Sequence, residues 1–479
     1  MVGRKEEIET LQRLYKRNSA EFVAIYGRRR VGKTFLVDEV LGDKINFRHT
    51  ALSPVEHQAE GFLKAQLENF YHSLKLQDME ESHVPKDWLE AFFMLEKWLQ
   101  EMDDGGRQVV FLDELPWLDR RGSGFITALE AFWNSWGCHR KNLMLVVCGS
   151  ASSWILDNLI NNHGGLYGRV TCEIKVEPFT LQECEEFFYE EGITLSRYDI
   201  LQTHMVFDGV PYYLRYYKRG LSVAQMVDRA FFSKKAALRE EYDRLFSSSF
   251  TNPDQTKKIV EILYERRGGF TRKEIQEKLG ISSSGNLTKS LKALIEGDFV
   301  EKYVPYGGNR KVTYYKIVDP FCLFYLHFVK GVNKADTHYW QERMDSPEVT
   351  SWRGGAFENI CFSHIDQIKR ALGIAGVRTT ALAWQKRGDQ TEPGGQIDLL
   401  IERADNVVNS CEIQHYSGLF SVDKAYYLKL KEREEILRKE LSPRQSIRNT
   451  LITTFGLKEG GYSSVFTNVI TLDALFEKS

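Results

Sequence analysis

Residues 27–34, Gly27-Arg28-Arg29-Arg30-Val31-Gly32-Lys33-Thr34, constrain the fold of this chain more than any other stretch. They follow five apolar residues, Phe22-Val23-Ala24-Ile25-Tyr26, that read as a short buried strand, and they lead into a helical pattern over residues 34–41. The spacing G-x-x-x-x-G-K-[ST] between a strand and a helix is what a phosphate cradle needs. Its glycines let successive backbone N–H groups face one concavity, and the helix N-terminus adds partial positive charge. Lys33 is expected to reach the β- and γ-phosphates of a nucleotide, and the Thr34 hydroxyl to bind Mg²⁺.

More strands of the same kind follow. Residues 109–112 and 143–147 are continuous apolar runs short enough for buried parallel strands, with residues 45–47 as a further candidate. Residues 5–17 carry Ile8, Leu11 and Leu14 at helical spacing. Residues 54–103 read as mostly helical, with Phe92, Phe93 and Trp98 turned inward. Strands alternating with helices predict an α/β domain whose sheet is covered on both faces.

Asp113-Glu114 comes directly after the run 109–112, so two carboxylates fall at the C-terminal edge of a strand, where ligands of open α/β sheets bind. Asp113 is the expected Mg²⁺ holder and Glu114 the candidate base that activates an attacking water. The competing account makes the pair a helix cap. The next strand ends in Cys148-Gly149-Ser150-Ala151-Ser152. Ser150 is a γ-phosphate sensor if this strand inserts between the two motif strands; capping of the next helix by Ser150 or Ser152 fits equally well. Arg169, after the turn Leu166-Tyr167-Gly168, either stabilises charge on the transferring phosphate or forms a surface salt bridge.

Composition narrows the class. The 479 residues suit about three domains, and 42% hydrophobic with 27% charged residues is ordinary globular content. Lys plus Arg, 64, nearly balances Asp plus Glu, 66, so affinity for nucleic acid has to come from local patches. Seven cysteines without a C-x-x-C pair argue against a disulfide framework and a structural zinc, and fit a reducing compartment. The start Met1-Val2-Gly3-Arg4-Lys5 lacks the apolar core of a signal peptide, and the longest apolar run, 321–329, contains His327 and is far short of a span. A cytoplasmic protein without membrane contact is expected.

Beyond Pro178 the periodicity is helical to about residue 245, as in a small lid. Residues 251–318 hold thirteen Lys and Arg against eight Asp and Glu, a net of +5. A helix from about Gln255, a break at Gly268-Gly269, a capping box at Thr271-Arg272-Lys273-Glu274 and a stop at Gly280 precede a third helix from Ser283 or Ser284. Two strands around Tyr306-Gly307-Gly308-Asn309 complete three helices and a β-wing. Helix 283–296 would expose Asn286, Lys289 and Lys292 to DNA, with Arg310 and Lys311 of the wing on phosphates; protein docking or a spacer role is the alternative. From about residue 350 a helix over 357–371 precedes strands near 397–401, 410–414, 450–454 and 469–471.

Gly3-Arg4 with Glu7, residues 27–34, Asp113-Glu114, Cys148-Gly149-Ser150, Leu166-Tyr167-Gly168-Arg169 and Gly209-Val210-Pro211-Tyr212-Tyr213-Leu214 together resemble the archaeal-type ATPases, relatives of the AAA+ and STAND branches. The resemblance covers residues 1 to about 235. It implies that Gly3 and Arg4 lie beside the adenine, that Pro211 belongs to the lid, and that ATP and Mg²⁺ bind. Asp208 stands where many members have a second glycine. One subgroup carries a winged helix and a C-terminal nuclease-like domain in this order. Gln396-Ile397-Asp398-Leu399-Leu400-Ile401 followed by Ser410-Cys411-Glu412-Ile413-Gln414 is similar to the PD-(D/E)XK nuclease core, Glu358 matching that family's additional acid. Strand alternation puts Glu412 and Gln414 on one face, so Asp398 and Glu412 are the expected metal ligands there. Gln414 stands where that family has lysine, so it can orient a water but supplies no positive charge.

The expected architecture is an α/β P-loop NTPase core (1–180), a helical lid (181–245), a winged helix-turn-helix (246–330) and a C-terminal α/β restriction-endonuclease-like domain (345–479). Three functions fit: a Mg²⁺-dependent ATPase acting on double-stranded DNA through the winged helix and C-terminal domain, a slow STAND-type ATP switch working through a homo-oligomer or protein partner, and an ATP-gated nuclease.

Overall fold

A computed structural model of the protein describes residues 2–53, 61–79, 83–120, 122–281, 285–306, 312–386 and 395–478. Ser283, Ser284, the turn residues Gly307, Gly308 and Asn309, and Arg310 and Lys311 lie outside them. The chain folds as two compact units. The first contains Met1–Pro178, Asp243–Lys257 and Gly285–Asp298; the second contains Phe179–Tyr242, Lys258–Ser284 and Phe299–Ser479.

The first unit is built on strands β1 (Glu21–Tyr26), β2 (Ile45–Thr50), β3 (Gln108–Asp113), β4 (Leu143–Gly149) and β5 (Cys172–Lys175). They form one parallel sheet in the order β2-β3-β4-β1-β5. Every residue of β1, β3 and β4 is buried, as strands covered on both faces must be. Leu11, Val37 and Leu41 of helices Lys5–Lys16 and Lys33–Leu41 cover one face. The other face packs on Phe70, Trp88, Phe92 and Trp133 from helices Phe62–Lys75, Trp88–Glu101 and Phe125–Ser135. β4 does insert between β1 and β3, which brings the ends of both motif strands together beside it. Phe93 departs from expectation and is 63% exposed. The buried residues Trp88, Ala91, Phe92, Met94, Leu95, Trp98 and Leu99 occupy one arc of the helix, and at about 100° per residue Phe93 falls opposite it.

Helix Gly285–Glu296 belongs to this first unit, whereas the three-stranded antiparallel sheet of β6 (Phe270–Thr271), β7 (Val300–Tyr303) and β8 (Tyr314–Ile317), in the order β6-β8-β7, belongs to the second. Helix Arg272–Leu279 opens on the expected Thr271/Glu274 capping box and ends at Gly280 with φ 63°. The second unit also holds the helices Leu181–Glu190, Arg197–Phe207 and Pro211–Leu214.

Its larger sheet has the order β13-β12-β11-β10-β9, from β9 (Thr379–Lys386), β10 (Gly395–Arg403), β11 (Val407–Gln414), β12 (Ser446–Thr453) and β13 (Asn468–Thr471). β9, β10 and β11 are antiparallel, and β11, β12 and β13 are parallel. The expected helix over 357–371 is two helices, Pro347–Ser363 and Ile365–Ala371. Among the described residues no helix is long and apolar enough to cross a membrane.

Candidate functional site

The loop after β1 is held open by glycine. A side chain at Gly27, φ 143°, would place its Cβ 2.2 Å from the Val176 carbonyl oxygen, and Val176 donates its N–H to Tyr26 at 2.7 Å. Gly32, φ 93°, begins helix Lys33–Leu41 without a side-chain cap, so the amide donors of the first turn remain available to an external acceptor. Lys33 is buried and donates its ammonium to the carbonyls of Gly27 and Arg28, both at 2.9 Å. Thr34 donates to Asp113 Oδ2 at 2.9 Å.

Glu114, at φ 51°, accepts from the Ser150 hydroxyl at 2.8 Å and from the Ser150 N–H at 3.1 Å. The hydroxyl therefore faces the carboxylate rather than capping helix Ser152–Ile155, whose N-cap is Ala151 without a side-chain bond. Gly3 and Arg4 both have positive φ; buried Arg4 donates to the Val31 carbonyl at 3.4 Å and to that of Glu177, and lies 3.8 Å from Glu7. Val31 and Arg28 are buried, while Arg29 and Arg30 are half-buried. Arg169 is exposed, and among the described residues it forms neither the expected salt bridge nor a bond to Glu114 or Ser150. Pro211 is the first residue of helix Pro211–Leu214 in the second unit. Asp208 there takes φ 56°, the conformation a glycine would supply.

Two residues that the sequence did not single out join the first unit's network. Lys175, at the end of β5 and opposite Tyr26, pairs with Asp298 at 2.7 Å and with Glu177 at 3.2 Å. Burial pushes the Asp298 carboxyl up, and the charges of Lys175 and Arg28 oppose the shift. Lys292, expected to face DNA, is exposed like Asn286 and Lys289, and it pairs with Asp157 and lies 3.7 Å from Glu296.

These residues suit a magnesium nucleotide. A positively capped, glycine-lined concavity would hold the phosphates through Lys33 and backbone amides, and Thr34 with Asp113 would hold the ion. Bound Mg²⁺ supplies charge neutralisation of the phosphate oxygens.

In the second unit Glu358, Asp398, Glu412 and Gln414 line one cavity of about 350 Å³. Each acid is already engaged. Glu358 pairs with Arg267, Asp398 accepts from the Ile413 N–H at 3.2 Å, and Glu412 accepts from Arg433 at 2.8 Å and from the Tyr426 hydroxyl at 3.0 Å. Gln414 donates to the same hydroxyl at 3.2 Å. Burial raises all three acids; Glu358 reaches about 7, with the nearby Asp398 charge adding to burial and Arg267 opposing it. Among the described residues no three His, Cys, Asp or Glu are grouped to hold a metal; the expected ligands Asp398 and Glu412 are a pair, each engaged by the donors just named. Arg433, on helix Lys424–Glu440, lines the same cavity and donates to Glu412, and motif reading did not single it out.

Residues 1–217 match the model of an ATPase domain predominantly from Archaea. An uncharacterized protein of Methanocaldococcus jannaschii is 30% identical over 405 residues, which cover 82% of this chain and 83% of that one. The chain belongs to this archaeal-type ATPase family. An uncharacterized ATP-binding protein of the same organism is 51% identical over 43 residues, 9% of this chain and 73% of that one. Among solved structures, the Walker-type ATPase of Pyrococcus abyssi aligns with a TM-score of 0.45 at 19% identity, over 68% of this chain and 96% of that one. The ORC2 protein of Aeropyrum pernix aligns with 0.39 at 13%, over 72% and 95%.

Proposed function

We propose that the protein is a Mg²⁺-dependent ATPase whose nucleotide state is passed to helix Gly285–Glu296 and to a nuclease-like second unit that acts on nucleic acid. The observation that carries this is the joining of Thr34 to Asp113 at 2.9 Å beside Lys33, with Glu114 one residue further on. Lys33 and the loop amides hold the triphosphate, Thr34 and Asp113 position the ion, and Glu114 orients and deprotonates water once Ser150 turns to the γ-phosphate. Arg4 and Gly3 border the base, and Pro211 belongs to the lid. Asp298, tied to Lys175 at the end of β5, is the link from nucleotide to helix. The four-part division 1–180, 181–245, 246–330 and 345–479 is retained as a description of function, with the third part shared between the two compact units.

One feature favours the slow-switch reading over a fast motor: both donors of Ser150 hold the Glu114 carboxylate, which keeps the base occupied. Phosphate release measured with and without DNA separates the two. A motor shows DNA-stimulated turnover; a switch retains ADP and turns over slowly whatever is added. In either case Lys33→Ala loses nucleotide binding, whereas Glu114→Gln keeps ATP affinity and loses about 10²-fold or more in kcat. Full turnover by Lys33→Ala would remove the proposal. For the second unit, cleavage of plasmid in Mg²⁺ or Mn²⁺ by the wild type and not by Asp398→Asn is the expected result of the nuclease reading.

A further inference from the structure

The second unit has a larger cavity, about 600 Å³, that adjoins the carboxylate cavity and shares Arg267, Glu358 and Asp398 with it. One wall is the small sheet, which contributes Tyr303, Tyr314 and Lys316; the other is helix Pro347–Ser363 with the start of β10. The rings of Tyr303 and Tyr314 lie 5.9 Å apart at 35°, and the Lys316 ammonium sits 4.6 Å from the Phe362 ring centre. Aromatic faces alternating with cations are how single strands are held, bases on rings and phosphates on charges. A duplex is far wider than a recess of this volume, which is of the size that ligands of a few hundred Å³ fill.

We propose that this recess is a groove for a single nucleic-acid strand, along which Arg267 exchanges its partner from Glu358 to a backbone phosphate. The exchange is physically motivated. Arg267 is 60% exposed while Glu358 is 19% exposed, so the guanidinium is open to a strand and the carboxylate faces inward. Gly355 makes room for it: a Cβ there would lie 3.1 Å from the guanidinium. Without Arg267, Glu358 becomes free to hold a metal with Asp398, so strand entry releases an acid that the ion pair otherwise occupies. Lys316 remains on Glu301 at 2.9 Å and serves the ring wall. This inference deepens the nucleic-acid reading of the second unit and rests on it.

The test is fluorescence anisotropy of the full chain with labelled oligo-dT and with a duplex of equal length, in EDTA so that nothing is cut. The strand is expected to bind more tightly than the duplex. Arg267→Ala should weaken it about tenfold and reduce the slope of log affinity against log salt by about 0.7, the loss of one phosphate contact. Tyr314→Ala, a second variant that keeps the charge, should weaken it severalfold. Equal or tighter duplex binding, or wild-type binding by both folded variants, overturns the groove. Strand binding that follows these variants without any cleavage in Mg²⁺ or Mn²⁺ supports the groove and removes the nuclease reading. Cleavage that is indifferent to both variants does the reverse.

Discussion

Glu114 has φ 51°, a conformation that costs a non-glycine residue about 1–3 kcal/mol unless its surroundings impose it. Seven non-glycine residues among those described have positive φ, and five of them, Arg4, Arg30, Asp78, Glu114 and Asp298, belong to the first unit, Arg4, Arg30 and Glu114 being residues of its candidate site. Strain gathered on these residues is what a preorganised site predicts. Asp298 is the one whose role can be separated. It brings a carboxylate toward Arg28 and Lys175, so it partly neutralises the positive field offered to phosphates. Asp298→Asn keeps the backbone tolerance for left-handed φ and removes that charge. An exposed or half-buried pair is worth about 0.2–1 kcal/mol, so nucleotide Kd measured by calorimetry should fall about two- to fivefold, less at high salt. Unchanged or weaker affinity would disprove the link.

Gly209 shows how an element can depend on one hydrogen atom. Phe179 donates its N–H to the Gly209 carbonyl at 2.6 Å, and a Cβ on Gly209 would sit 1.8 Å from the Phe179 carbonyl oxygen. Both contacts are backbone, so no rotamer can relieve them. Gly209→Ala should destabilise the helices Arg197–Phe207 and Pro211–Leu214 by about 3 kcal/mol or more, read as faster amide exchange in both; wild-type protection there would refute the packing argument. Local chemistry of this sort was legible in sequence. The phosphate loop, the apolar runs within β1, β3 and β4, and the Thr271/Glu274 box each declare themselves within a few residues. What escaped was long-range. β9 mixes Thr, Gln and Lys with apolar residues and β6 has only two residues, so neither carries a period. Lys175 meets Asp298, and Arg267 meets Glu358, across stretches of chain that no spacing rule spans.

Buried histidines in both units contribute to the response of the chain to acid. His49 in the first unit and His204, His364 and His415 in the second are all held below the ordinary imidazole value by burial, to about 3, 4, 3 and 4. His364 accepts from the Leu181 N–H at 3.1 Å, which requires an unprotonated Nε2, and its Nδ1 faces the Ile360 carbonyl at 2.9 Å. The His204 ring, 5.9 Å away, adds its own charge to the penalty if both protonate; Asp208 lies 3.9 Å from His204. Because these folded values lie below the unfolded 6.5, the stability they contribute is complete above pH 6.5 and drains away as pH falls toward 4 and 3. For a group as buried as His364 the loss is about 3 kcal/mol or more. Glu358 runs the other way, since a carboxyl raised to about 7 favours the folded state below 4.5 and loses that contribution as pH rises through 7. The two trends cross between pH 4.5 and 6.5, so global melting alone would blur them. Amide exchange at Leu181, corrected for the intrinsic effect of pH, isolates the histidine: its protection should fall steadily from pH 6.5 to 4, and His364→Gln, which keeps polar atoms but does not titrate, should flatten that fall. A wild-type profile as flat as the variant's would mean that the Leu181 bond survives protonation and that the tautomer assigned to His364 is wrong.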